Sequence, residues 1–102
     1  MIQFSFEDNI YTYIPFKDLR PGDLPEASRA YKSRYLDLDC AFDIETSSDQ
    51  DRKLSWMYMW QFAINDITII GRTWPEFVEL MKMLQDKYAN EKEYRILAWI
   101  HN

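Results

Sequence analysis

Hydrophobic and polar residues alternate at the start of the chain and again in a stretch beginning with "LDLD", and this two-residue period predicts β-strands. The segment "IQFSFEDNIYTYIPF" has two such strands around the turn residues "EDN", which predicts an N-terminal β-hairpin. Prolines and a glycine lie among mixed charges in residues 17–35, which predicts a connector with a helical turn from Pro25 to Tyr35. We therefore divide the chain into residues 1–35, the hairpin and connector, and a domain at residues 36–102.

The second alternating stretch, "LDLDCAFDIE", predicts a strand with one apolar and one polar face. The apolar face carries Leu36, Leu38, Cys40, Phe42 and Ile44. The other face carries Asp37, Asp39, Ala41, Asp43 and Glu45. Residues 46–53 are predicted to form a polar loop. The next segment, "LSWMYMWQFAI", is apolar on both faces, as is typical of a strand in the middle of a covered sheet.

The remaining segments predict a tight turn, a third strand, a helix and a fourth strand. Asn65 and Asp66 supply the turn before "ITIIG", and the T-x-x-E pair Thr73 and Glu76 marks a helix start, with Pro75 in its first turn. The predicted apolar stripe of the helix comprises Trp74, Phe77, Val78, Met81, Leu84 and Tyr88. "NEKE" ends the helix, and "YRILAWI" is the fourth strand.

From residue 36 onward the predicted order is therefore β-β-β-α-β. This order indicates an α/β (α+β) fold with a mixed sheet, in which the helix crosses over so that the last strand lies parallel to one of the first three. Such an arrangement resembles the opening of a ribonuclease-H-like sheet. We accordingly expect a partial ribonuclease-H-like fold, preceded by the N-terminal β-hairpin.

Composition narrows the functional classes. The 102 residues correspond to one small domain or to a piece of a larger protein, and the net charge of −5 argues against binding duplex DNA through a broad basic surface. The charge does not exclude an acidic site that contacts nucleic acid through bound cations. A single cysteine excludes an internal disulfide, and neither a signal peptide nor a membrane span is visible, so we expect a cytoplasmic protein without membrane contact.

Asp43 and Glu45 are the candidate site. Residues two apart on a strand point the same way, about 6.6–6.8 Å apart, and two carboxylates this close repel each other unless a proton or a cation lies between them. Hard divalent ions take such carboxylates together with phosphate oxygens as ligands. A D-x-E pair is also common on strands with one solvated face, so taken alone it favours the solvated face.

The wider pattern resembles a known family. "FDIETS", "WMYMWQFAI", "IIGRTWPEFVELMKML" and "LAWIHN" together are similar to the start of the 3′–5′ exonuclease domain of family B DNA polymerases, most of all its protein-primed phage and organellar branch. "FDIET" matches the first exonuclease motif of that family, and "IHN" is similar to the beginning of its second motif. The resemblance covers residues 39–102, whereas residues 1–38 have no counterpart that we can name.

The resemblance implies a role for each matching residue. Asp43 would be catalytic and would bridge two Mg²⁺ or Mn²⁺ ions, and Glu45 would be catalytic as a ligand of the ion that activates the water. Thr46 would contact the 3′-terminal nucleotide of single-stranded DNA, and Asn102 the single-stranded end. In the parent polymerase, phage-encoded by resemblance, this site would proofread by phosphodiester hydrolysis, and a terminal-protein primer would be a further partner.

The chain departs from the family pattern after Asn102, since the Asp of the second motif and the whole third motif are absent from it. We therefore expect a fragment that binds metal weakly and is inactive in isolation. Two other hypotheses remain. One is a non-catalytic protein-interaction module, with self-association through an incomplete sheet. The other is an exonuclease of the same DEDD superfamily that is not attached to a polymerase.

Three further features have two interpretations each. The aromatic run from Trp56 to Phe62 suits a stacking platform for single-stranded DNA, but a central strand buried on both faces is favoured. His101 suits a general base or metal ligand, but a packed or tail residue is favoured. Cys40 lies on the face opposite Asp43, so a buried structural thiol is favoured over a nucleophile.

Overall fold

In the computed structural model, the described residues are 2–6, 9–27, 35–49, 51–88, 96 and 98–101. They form a mixed α+β fold, in which strands of one mixed sheet carry a helix on one face. The strands are β1 (Ile2–Phe6), β2 (Asn9–Pro15), β3 (Cys40–Asp49), β4 (Leu54–Ile64), β5 (Ile67–Gly71) and β6 (Ala98–His101), and the helix is α1 (Trp74–Tyr88). Short 3₁₀ turns lie at Phe16–Asp18 and Pro21–Asp23.

The strand order in the sheet is β1-β2-β5-β4-β3-β6. β3, β4 and β5 form an antiparallel meander, and β6 lies parallel to β3 on its other side. The predicted β-β-β-α-β order and the parallel pairing after the helix are thus confirmed. A parallel partner requires a long crossover, and α1 provides most of it.

The predicted N-terminal hairpin is also confirmed, because β1 and β2 pair antiparallel up to Phe6 opposite Asn9. β2 then pairs in parallel with β5, from Thr12 opposite Ile67 to Pro15 opposite Ile70, so the hairpin extends the same sheet. The helical turn predicted from Pro25 to Tyr35 lies mostly outside the described residues.

Several predicted boundaries were wrong. The polar loop expected at residues 46–53 is shorter, because β3 continues to Asp49, while at its other end the strand begins only at Cys40. In the last predicted strand, Ile96 is irregular and β6 begins at Ala98. Backbone pairing with β4 and β6 determined these limits, and the hydrophobic pattern does not report pairing.

The core lies between α1 and the sheet face that it covers. Its buried residues are Leu24, Leu36, Leu38, Cys40, Trp60, Phe62, Ile64, Ile69, Leu80, Leu84 and Tyr88. The alternation predicted for the segment before Asp43 is confirmed, since Leu36, Leu38 and Cys40 are buried while Asp37 and Asp39 are exposed. The connector closes one end of this core, where the Tyr88 hydroxyl donates a hydrogen bond to the carbonyl of Pro25.

The apolar stripe of α1 differs from the predicted one. Leu80, absent from the prediction, is fully buried, whereas Trp74 and Val78 are about half exposed. The stripe actually used runs through Phe77, Leu80, Met81, Leu84 and Tyr88. Val78 lies about 100° around the helix from Phe77, at the side of this stripe, and Trp74 is the first residue of the helix, so both are less covered than the period alone predicts.

The start of α1 is built as the sequence predicts. The Thr73 hydroxyl accepts a hydrogen bond from the Glu76 amide at 3.3 Å, and a Glu76 carboxylate oxygen accepts one from the Thr73 amide at 3.0 Å. The same carboxylate oxygen also accepts the Arg72 amide at 3.0 Å. These bonds satisfy amides that the helix itself leaves unpaired, so the capping box positions α1 over the sheet.

Trp60 is the largest fully buried side chain and connects β4, β5 and α1. Its indole N–H donates a hydrogen bond to the Thr73 carbonyl at 2.8 Å, and its ring meets that of Phe77 edge-on, with centroids 5.5 Å apart. Gly71 lies directly opposite Trp60 in the sheet, where a Cβ would come within 2.1 Å of the indole. Glycine at this position therefore makes room for the tryptophan.

Candidate functional site

Asp43 and Glu45 lie on β3, on the sheet face opposite α1. Cys40, Phe42 and Ile44 point toward the helix and contribute to the core or pack against it, so the alternate residues point the other way. Both carboxylates are partly exposed. The pair was expected near the C-terminal end of its strand, but it lies in the middle, because β3 continues for four residues beyond Glu45.

Pairing defines the neighbours of the two carboxylates. On β4, Gln61 lies opposite Asp43 and Met59 opposite Glu45. On β6, His101 lies in register with Asp43, although its side chain is outside the described residues, so neither of its two predicted roles is tested. Asp43 is thus placed between two neighbouring strands, with an amide side chain on one side.

A β-bulge interrupts the sheet directly beside Glu45. Glu45 pairs with Met59, but the next residue, Thr46, pairs with Met57, which leaves Tyr58 as the extra residue on β4. Beyond the bulge, Met57 packs against the core on the helix side, and Trp56 lies opposite Ser47. Ser47 is two residues after Glu45 on the same strand, so Trp56 shares the face of the two carboxylates.

The other predicted site residues are placed less favourably. Thr46 is exposed, but strand alternation places its side chain on the opposite face from Glu45. Asn102 lies outside the described residues. The structure therefore brings together Asp43 and Glu45 and does not bring the Thr46 side chain to them.

The two carboxylates fit part of a divalent-metal ligand set. Mg²⁺ is commonly bound through one or two carboxylates together with waters and substrate phosphates, and the partial exposure of both side chains leaves room for those additional ligands. Among the described residues, no group of three or more His, Cys, Asp and Glu side chains is arranged to hold a metal ion. What this part of the chain offers is a pair of hard oxygen donors.

Cys40 lies three residues before Asp43 but belongs to the core. It is 1% exposed, as predicted for a structural thiol. Burial raises the pKa of this thiol to about 11, and the negative charge of Asp39 contributes to the rise. A thiol held protonated and covered is a poor nucleophile, so Cys40 takes no part in the chemistry of the open face.

The β3 segment before the site is fixed by the turn between β4 and β5. Asn65 adopts a left-handed conformation with φ 54°, and its side-chain oxygen accepts a hydrogen bond from the Asp39 amide at 3.0 Å. The Asn65 amide donates in turn to the Asp39 carbonyl at 2.7 Å. These two bonds anchor Asp39, directly before β3 and four residues before Asp43, which reduces the freedom of the strand that carries the carboxylates.

The exposure of Trp56 was not predicted from the sequence. The aromatic run was expected to be buried on both faces, but only its second half lies in the core: Trp60 and Phe62 are buried, whereas Trp56 is 50% exposed and Tyr58 is 44% exposed. The reason is that β5 ends at Gly71, opposite Trp60, and does not cover the first part of β4. The sequence carried a signal for this exposure. The segment "ITIIG" has 5 residues and "LSWMYMWQFAI" has 11, so the shorter strand cannot cover the whole length of the longer one.

Comparison of the chain with protein-family models, with curated proteins and with solved structures gave no match. The described fold and site define the class on their own: a mixed α+β sheet with a partly exposed carboxylate pair on the face opposite its helix. Across the described residues, none of the helical structure is both long and apolar enough to cross a membrane.

Proposed function

We propose that the chain forms the opening part of a ribonuclease-H-like 3′–5′ exonuclease domain of a DNA polymerase. In the complete enzyme, Asp43 and Glu45 would hold divalent cations against the phosphodiester at the 3′ end of a single-stranded DNA. The observation that carries this proposal is the position of the pair. Both carboxylates lie on the open face of β3, the strand that pairs antiparallel with β4 and parallel with the crossover strand β6.

The supporting argument is electrostatic. The chain is acidic, and two adjacent carboxylates repel a phosphate as well as each other. Divalent cations bound to the pair would offset both the repulsion between the two carboxylates and their repulsion of the phosphate. When bound, such ions lower the pKa of a ligated water and stabilise the leaving oxygen of a phosphodiester. Asp43 and Glu45 would supply the carboxylate oxygens that hold these ions, and Gln61 would offer an amide beside Asp43.

The proposal is tested by cation binding and by hydrolysis in the same preparation. Mn²⁺ binding to the chain is measured by electron paramagnetic resonance, and a 3′-labelled single strand is incubated with Mg²⁺. We expect weak Mn²⁺ binding that Asp43→Asn combined with Glu45→Gln abolishes. In a complete polymerase that contains this chain, the same two substitutions should remove 3′–5′ degradation.

The matched control is Asp37→Asn combined with Asp39→Asn. It removes the same charge from two exposed carboxylates just ahead of β3. If both double variants bind Mn²⁺ as well as the unaltered chain does, the carboxylate pair is an ordinary solvated surface and the proposal is overturned. Equal loss in both variants would also contradict it, because general acidity would then explain the binding.

A non-catalytic interaction module is the second candidate function. The observation that favours it is the edge strand β6, where Trp99 is 67% and Ile100 is 70% exposed. An exposed apolar edge strand pairs readily with another strand. Sedimentation of the chain over a range of concentrations tests this function, which requires an associated species that Ile100→Lys disperses while Mn²⁺ binding is unchanged.

A further inference from the structure

β3 and β4 extend beyond their neighbours as a two-stranded arm. β5 pairs with β4 no further than Gly71 opposite Trp60, and β6 pairs with β3 no further than His101 opposite Asp43. Within the described residues, the segments 46–49 and 54–57 therefore pair with each other alone. We call these two segments and the turn between them the arm. Leu54 and Trp56 are about half exposed on this arm, and exposed apolar side chains grouped on a surface are a common feature of binding sites.

The bulge decides which side of the arm Trp56 occupies. If Tyr58 occupied a regular paired position, uninterrupted alternation along β4 would place Trp56 on the same face as Trp60, toward the helix. With the bulge, Trp56 pairs with Ser47 and shares the face of Asp43 and Glu45. Bulges beside functional sites commonly redirect a side chain in this way. Trp56 is 50% exposed there, which leaves much of its surface free for a planar ligand.

The spacing suits one nucleotide. Ser47 lies about 6.6–6.8 Å from Glu45 along β3, and Trp56 lies about 4.5–5.5 Å across from Ser47. A phosphate held through cations at the carboxylates would thus have its base or a neighbouring base within reach of the indole. Aromatic side chains bind unpaired bases by stacking, without sequence preference.

The charge of the arm supports the same ligand. Residues 46–57 contain two acidic and two basic residues and are formally neutral, so the net charge of −5 lies elsewhere in the chain. Lys53 is exposed at the turn, next to the strand that carries Trp56. A polyanion therefore meets less repulsion along the arm than over the rest of the surface.

We propose that Trp56 is a base-stacking residue for single-stranded nucleic acid bound at the open face of β3. This inference rests on the proposed function, because Asp43 and Glu45 supply the cation-mediated phosphate contact. It assigns to the arm the task of holding an unpaired base. Double-stranded DNA, whose bases are stacked on each other, would not satisfy it.

The experiment is a titration of the full chain with oligo-dT in Ca²⁺, followed by fluorescence anisotropy of a dye on the oligonucleotide. Trp56→Ala should weaken binding roughly ten-fold, and Trp56→Phe should restore most of the affinity. The matched control is Trp74→Ala, which removes a tryptophan of similar exposure, 48%, from the start of α1. Circular dichroism of each variant establishes that the fold is retained.

The outcomes separate the two proposals. If oligo-dT binds in a manner that depends on Asp43 and Glu45 but Trp56→Ala binds like the unaltered chain, the stacking role is wrong and the proposed function stands. If Trp56→Ala weakens binding while the carboxylate variants do not, the stacking role stands and the proposed function fails. Absence of oligo-dT binding to the unaltered chain, or a dimer that Trp56→Ala dissociates, would overturn the stacking role.

Discussion

Packing against Trp60 restricts the identity of residue 71 to glycine. Its position opposite Trp60 leaves no space for a methyl group, so Gly71→Ala forces either the indole or the β5 backbone to move. We expect the free energy of unfolding to fall by about 1–3 kcal/mol. Urea denaturation measures the change. Gly22→Ala is the control, because a Cβ there has no neighbour within 4 Å, and a similar loss in both variants would contradict this account.

Cys40 predicts a dependence of stability on alkaline pH. The pKa of this thiol rises to about 11 in the folded chain, above its ordinary value of 9.0, so the folded state keeps a proton that the unfolded state loses. The contribution of Cys40 to the free energy of unfolding is therefore fully present below pH 9. It declines as the pH rises toward 11, with a loss of about 1 kcal/mol at pH 10.

Urea denaturation at pH 7.5 and at pH 10 checks this, with each protein compared with itself. Cys40→Ala should lose less stability between the two values than the unaltered chain. Some alkaline loss will remain in the variant, because burial also raises the pKa of Tyr88 to about 12. Identical losses in the two proteins would show that the thiol titrates as it does in the unfolded chain.

At the scale of the element, the capping box of α1 gives a prediction with a built-in pH test. Thr73→Ala removes the hydroxyl that accepts the Glu76 amide, and should lower the free energy of unfolding by about 1 kcal/mol. The hydrogen bond from the Arg72 amide is the main reason that the pKa of Glu76 lies below its ordinary value. The Glu76 carboxylate therefore stabilises the fold at any pH above its pKa in the unfolded chain. This stabilisation is lost as the pH falls through its lower pKa in the folded chain.

Glu76→Gln should accordingly reduce the loss of stability on acidification below pH 5, as measured by thermal unfolding. Glu79→Gln is the matched control, since this exposed carboxylate is on the same helix beyond its first turn. If the two variants respond to acid alike, the capping interaction does not persist in solution.

The bulge in β4 gives the second prediction at this scale. Insertion of one alanine between Trp56 and Met57 should leave Met57 opposite Thr46, place the alanine opposite Ser47 and move Trp56 opposite Ser48, on the helix side of β4. The oligo-dT affinity should then fall as far as in Trp56→Ala. Deletion of Tyr58 removes the bulge but leaves Trp56 opposite Ser47 and should retain binding, so equal effects of the insertion and the deletion would argue against a role for the register.

At the scale of the whole molecule, the question is whether residues 1–35 fold with the rest. β2 pairs with β5, and Ile14 at this junction is 1% exposed, which places the hairpin within the same sheet as the meander. Ile14→Ala should therefore lower the stability of the entire chain by about 2–5 kcal/mol.

Calorimetry and urea denaturation followed by tryptophan fluorescence should both show one cooperative transition, shifted in the variant. All four tryptophans lie after residue 35, so the fluorescence reports on the second segment. Ile100→Ala, at a site 70% exposed, should change stability by less than about 0.5 kcal/mol. An unchanged fluorescence transition in Ile14→Ala would favour the division at residue 35.

Much of the architecture follows from local patterns. The alternation before Asp43, the strand "ITIIG" and the start of α1 at Thr73 depend on neighbours two to four residues away, and all three are present in the structure. Errors lie where distant segments meet. Val78 fits a broad helical stripe but lies at the side of the helix, half exposed, and Trp56 fits a buried strand but lies beyond the end of β5.

The candidate site likewise has features that local sequence determines and features that distant segments determine. Its two carboxylates and their shared face were determined by the sequence alone, because the two-residue period of a strand needs no tertiary information. Tertiary structure decided that this face is the one opposite α1, that β4 and β6 flank Asp43, and that Trp56 turns toward the carboxylates. These features depend on strand pairing and on one extra residue, Tyr58, whose unpaired position is defined only once β3 and β4 are in register.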